Sequence, residues 1–72
     1  MKKLSNAEIK AIRQMKANRT SRASVGSLRF ALHESPRREK EYVLFSFDHD
    51  NPYKTGRRTY ISWKEFDEVK PA

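Results

Sequence analysis

The chain has 72 residues, with 16 Lys and Arg against 9 Asp and Glu, a net charge of +7 and no cysteine. That length allows one domain with a thin core, and the missing cysteines exclude a disulfide framework and every Cys-ligated zinc or iron–sulfur site. No apolar run approaches the roughly 18 residues of a membrane span, and no apolar h-region follows Met1, Lys2 and Lys3, so no membrane partner and a cytoplasmic location are expected.

The first predicted element is a helix over residues 6–17. Ser5 is placed to cap it and Glu8, three residues on, completes a capping box. Leu4 and Ile9 hold the positions of a hydrophobic staple. Ile9, Ile12 and Met15, with Ala11 beside them, form a narrow apolar stripe that suits docking on a sheet. Residues 19–26 (Arg-Thr-Ser-Arg-Ala-Ser-Val-Gly) are small, polar and basic, and are expected to form a loop or linker. Residues 1–26 are therefore a basic helix and linker, and residues 27–70 a β-meander closed by a short helix.

In residues 27–33 the side chains alternate, with Leu28, Phe30 and Leu32 on one side, which predicts a strand. A helix opening at Ser24 is the competing reading, because Val25, Leu28 and Leu32 also fit helical spacing. Residues 34–40 form a charged turn around Pro36. Residues 41–47 predict the strongest strand, with Val43, Phe45 and Phe47 on one face and Tyr42, Leu44 and Ser46 on the other. Residues 48–58 carry the Asp, Asn-Pro, Lys and Gly of a long hairpin loop. A third strand follows over residues 59–63, with Ile61 and Trp63 sharing a face. Ser62 and Glu65 then make a second capping box for a short helix, and Pro71 ends the pattern. The expected fold is α+β: N-terminal helix, three-stranded antiparallel β-meander, short C-terminal helix. Its expected core is Leu28, Phe30, Leu32, Val43, Phe45, Phe47, Ile61, Phe66 and Val69, roofed by Ile9, Ile12 and Met15.

Catalytic chemistry is poorly supplied. The two glycines form no phosphate-cradling loop. The Asp48-His49-Asp50 triplet offers metal-ligand types, but adjacent residues seldom converge on one ion. No enzyme activity, cofactor or metal is expected. Charge points elsewhere. Residues 1–40 hold eleven Lys and Arg against three Asp and Glu, a charge of +8, while residues 41–72 carry −1. Such asymmetry suits a polyanion partner, and nucleic acid is the expected one, DNA ahead of RNA. Lys10, Arg13, Lys16, Arg19, Arg22 and Arg29, with Arg37, Arg38, Arg57 and Arg58 in the two hairpin loops, are the candidates for phosphate contacts. Tyr42, Tyr53 and Tyr60 are the candidates for base stacking. Packing of the tyrosines beneath the N-terminal helix is the competing reading.

From Tyr42 the chain runs Tyr-Val-Leu-Phe-Ser-Phe, then through Lys54, Gly56, Arg57 and Arg58 into Tyr60-Ile61-Ser62-Trp63-Lys64-Glu65-Phe66. Residues 42–70 thus resemble the last hairpin and helix of the single-stranded-DNA-binding transcriptional coactivator family known as positive cofactor four. The resemblance implies DNA binding, a role in transcription regulation and a homodimer formed through the helix. The element order is also similar to that of double-stranded-RNA-binding domains, although residues 62–71 lack the long, Lys-opened final helix of that family. With a helix at residues 24–34 the chain would instead resemble a winged helix, with the 48–58 loop as wing. A different class remains open: a phage- or mobile-element-type accessory protein that docks on an acidic surface of a host protein.

Overall fold

In a computed structural model, which describes residues 4–51 and 56–71, the chain forms two layers. A four-stranded antiparallel sheet runs in the order β1-β2-β3-β4, and helices α1 and α2 share one of its faces. The elements are α1 (Asn6–Asn18), β1 (Arg22–Val25), β2 (Leu28–Glu34), β3 (Glu41–Asp48), β4 (Arg57–Ser62) and α2 (Trp63–Glu68).

Helix α1 starts where its sequence dictates. Ser5 Oγ accepts from the Glu8 amide at 3.2 Å, and Glu8 Oε1 accepts from the Ser5 amide at 2.9 Å. Two orphan donors are thereby satisfied at once. The helix ends on Arg19, whose left-handed backbone (φ 56°) lets its amide donate to the Met15 carbonyl. The buried stripe is Glu8, Ala11, Ile12 and Met15. Ile9, expected in that stripe, sits only half-buried at its margin. Glu8 can take an apolar position because its second oxygen, Oε2, accepts from the Thr59 hydroxyl at 2.7 Å. A buried carboxylate with both oxygens bonded avoids the cost of an unpaired one.

The sheet has four strands, where the sequence suggested three. Residues 22–25, read as linker, form β1, which pairs with β2 through Ala23↔Phe30 and Val25↔Leu28. Only Gly26 and Ser27 separate the two strands. Gly26 has φ +62°, in the first loop position, where type II′ hairpin turns take glycine. A four-residue strand holding Arg, Ala and Ser has little β-propensity of its own. It exists because β2 offers a ladder and α1 packs over it. The same pairing settles residues 28–34 as strand and removes the winged-helix alternative.

The second correction concerns β3. Leu44, not Phe45, faces the helices, and it is fully buried with Ala11, Ile12, Met15, Phe30 and Ile61. Tyr42, Leu28, Leu32, Phe66 and Val69 pack around that cluster. Phe45 and Phe47 belong to the opposite face, and Phe47 is exposed. Val43 also lies on that face, between His33 and Tyr60 in register, yet it is buried. Both faces of β3 are apolar, so its alternation cannot say which one the helices cover. The ladder decides, because Leu44 stands opposite Leu32 and Thr59. A one-residue difference exchanges every side chain between faces.

Helix α2 follows β4 without a gap, capped by Ser62 Oγ on the Glu65 amide at 3.0 Å and by Glu65 Oε1 on the Ser62 amide at 3.2 Å. Trp63, expected to end the third strand on the same face as Ile61, opens α2 instead and is exposed. No described helix is long and apolar enough to cross a membrane.

Candidate nucleic-acid interface

With both helices on one side, the other side of the sheet carries no described element. Strand alternation and register give its side chains: Arg22 and Ser24 from β1; Arg29, Ala31 and His33 from β2; Glu41, Val43, Phe45 and Phe47 from β3; Arg58 and Tyr60 from β4. Phe47 and Tyr60 are each 38% exposed. Glu41 is the one acidic side chain among these positions, and Arg38 pairs with it at 3.6 Å. The face therefore joins aromatic rings to an excess of arginine.

Rings and guanidinium groups are interleaved. The Arg58 guanidinium lies 5.4 Å from the centroid of the Phe45 ring, its partner across the ladder. Arg38 reaches from the β2–β3 loop to lie 4.4 Å above the ring of Tyr60. His33 meets Phe45 edge to face, with centroids 5.4 Å apart. Arg29 stands opposite Phe47 in the ladder. Its Nη1 donates to the Gly26 carbonyl at 3.0 Å and the Leu28 carbonyl at 3.5 Å, which holds the side chain in place. A guanidinium stacked on a ring uses its face and leaves its N–H edge available. Arg38 and Arg58 can thus present donors to a phosphate while they lie over their rings, and Arg29, turned to its two carbonyls, stands beside the ring of Phe47.

The candidate residues divide among several places. Arg22, Arg29, Arg58 and Tyr60 come together on the open face, and Arg38 reaches it from its loop. Lys10 and Arg13 are exposed on α1, in the other layer. Arg19 sits at the end of α1 and Arg37 in the β2–β3 loop, both exposed. Arg57 is not in a loop. It is the first residue of β4, opposite Ser46, and lines a cleft on the helix side with Ser5 and Glu8.

Lys16 has a structural role. Its ammonium donates to the carbonyls of Phe66 and Val69 and lies 4.3 Å from the Phe66 ring centroid, tying α1 to the end of α2. Tyr42 is core: its ring packs 4.9 Å from that of Phe66 and 6.2 Å from that of Trp63. Tyr53 lies outside the described residues, as does Lys54. The two tyrosines expected to share a face, Tyr42 and Tyr60, point to opposite sides, since Tyr42 pairs with Ile61 and Tyr60 with Val43.

Residues missed from the sequence are Phe45, Phe47, His33 and His49. The available signal was a strand with apolar residues on both faces in a chain with too little helix to cover both. Among the described residues, no group of three His, Asp or Glu side chains is placed to hold a metal ion. No protein-family model, curated protein or solved structure matches the chain.

Proposed function

We propose that the chain binds single-stranded nucleic acid across the open face of its sheet. The observation that carries this reading is the convergence of Phe45, Phe47 and Tyr60 with Arg22, Arg29, Arg38 and Arg58 on one uncovered surface. Phosphates take the guanidinium edges, releasing counterions as each is neutralised. Unpaired bases take the rings, and stacking is indifferent to sequence because every base has a flat face. Alternate residues of one strand stand roughly 7 Å apart, so Phe45 and Phe47 have room for one base each. A paired duplex hides its base faces and could use the arginines alone.

The test is a fluorescence-anisotropy titration of labelled single- and double-stranded DNA and RNA over a salt series. The expected result is tighter binding of the single strands, with log affinity falling linearly as log salt rises. No binding of any of the four ligands would overturn the reading.

A second reading shares the surface. Exposed aromatic side chains beside arginines are also the chemistry of protein hot spots, and an acidic surface of a partner protein would complement this face. Such a complex would respond less steeply to salt, because an apolar hot spot carries part of its affinity.

A further inference from the structure

The three rings of the open face are not equivalent. Guanidinium groups already lie over Phe45 and Tyr60. Among the described residues none lies over Phe47, because its ladder partner, Arg29, is turned toward the Gly26 and Leu28 carbonyls. A base reaching Phe45 or Tyr60 must displace a stacked cation or lie upon it. A base reaching Phe47 meets the ring directly.

Phe47 also borders a shallow concavity on the β1 side of the sheet, whose lining includes Arg22, Ser24, Arg29, Ala31, Phe47 and His49, with Ala23 and Phe30 behind them. The lining holds two guanidinium groups and an imidazole, and no carboxylate. His49 is fixed by its backbone, whose amide donates to the Ser27 carbonyl at 2.8 Å. Arg29 is half-buried and held by its two carbonyl contacts, so little side-chain entropy remains to be lost when it meets a ligand. Its remaining N–H groups are uncommitted to those contacts and suit the forked geometry of phosphate recognition. By contrast, the two depressions flanking the exposed Trp63 mix their charges: Lys40 and Lys64 with Asp67 and Glu68 in one, Arg38 and Lys40 with Glu34, Glu39 and Glu41 in the other, so neither offers a polyanion a net positive lining.

We infer that this concavity is a nucleotide subsite, which takes one base on Phe47 and the attached phosphate between Arg22 and Arg29. It rests on the reading of the open face as a nucleic-acid surface and names where a strand is first gripped. Because base and phosphate are both recognised here, the minimal ligand is a single nucleotide. The same unit within a strand occupies the same place.

The test is an NMR titration of the full chain with adenosine 5′-monophosphate, adenosine, inorganic phosphate and a short single-stranded oligoadenylate. The nucleotide is expected to shift the Phe47 ring and the Arg22 and Arg29 side-chain resonances. It should bind at least about fivefold more tightly than inorganic phosphate, as stacking on one aromatic ring implies, and more tightly than adenosine, as a phosphate held by two guanidinium groups implies. Phe47→Leu should remove the advantage over inorganic phosphate with an unchanged thermal melt, and Arg29→Lys should weaken the nucleotide more than adenosine. Equal binding of nucleotide and inorganic phosphate would overturn the subsite, as would shifts confined to α1. If the oligonucleotide binds the open face of Phe47→Leu as it binds the parent, the subsite falls and the single-strand reading stands. If the nucleotide behaves as expected but the oligonucleotide binds no more tightly, the subsite stands and the strand reading falls. If no ligand shifts any resonance, both fall.

Discussion

The two faces of β3 carry nearly the same chemistry and have opposite fates. Tyr42 and Leu44 lie under the helices, while Phe45 and Phe47, just as apolar, lie on the open side. Hydrophobic content alone therefore does not make a core residue. A core needs a second layer, and the described residues supply one 13-residue helix and one 6-residue helix for it. Both are spent on the same side. What remains is an apolar sheet face that no other described element covers and that arginines fringe. Most isolated apolar side chains on a surface need no explanation. Three aromatic rings with interleaved guanidinium groups on one face do.

The largest expected effect separates these faces by stability. Leu44→Ala empties a fully buried site and should cost about 3 kcal/mol, as large-to-small core changes do. Phe45→Ala removes a half-buried ring from the open face and should cost about 1 kcal/mol. Urea denaturation of both variants checks the pair, and equal losses would mean that both faces are core. Next in size is Glu8→Ala. It removes the acceptor for the Ser5 amide and for the Thr59 hydroxyl, joining helix to sheet, and should cost about 2 kcal/mol by the same measurement. Smaller again is Lys16→Ala, which frees two carbonyls at the end of α2 and should cost about 1 kcal/mol. Its oligonucleotide affinity should match the parent, because that ammonium is committed to α2.

Much of this architecture is legible in the sequence, and the gaps have physical causes. Both helix starts follow from local chemistry: Ser5 with Glu8, and Ser62 with Glu65, are complete capping boxes at three-residue spacing. Leu28, Phe30 and Leu32 announce β2 and its covered side, because their alternate neighbours are polar or small. Strand β1 was hidden because Arg22, Ala23 and Ser24 have no strand signature, and only the ladder with β2 and the roof of α1 make them one. The facing of β3 is hidden because both its sides are apolar and the open one, with Val43, Phe45 and Phe47, is the more so. That choice is made by long-range pairing. Placing Phe45 and Phe47 in the core leaves Tyr42 among the rings expected to be exposed. In the fold, the arginines that share a surface with exposed rings come from β1, β2, β4 and the β2–β3 loop.

The central claim is that cations act by the face they share, so identical losses of charge should differ by location. The direct test compares two double variants on one single-stranded oligonucleotide over a salt series: Arg22→Ala with Arg58→Ala on the open face, and Lys10→Ala with Arg13→Ala on α1. All four side chains are exposed and belong to residues outside the buried cluster, so each change should alter stability by no more than about 0.5 kcal/mol. Each lost phosphate contact on a single strand should reduce the magnitude of the salt slope by roughly 0.7. The open-face variant should therefore lose roughly 1.4 in slope, and the helix variant should retain the parent slope and affinity. The opposite pattern, with the helix variant losing slope and the open-face variant binding like the parent, would contradict the account.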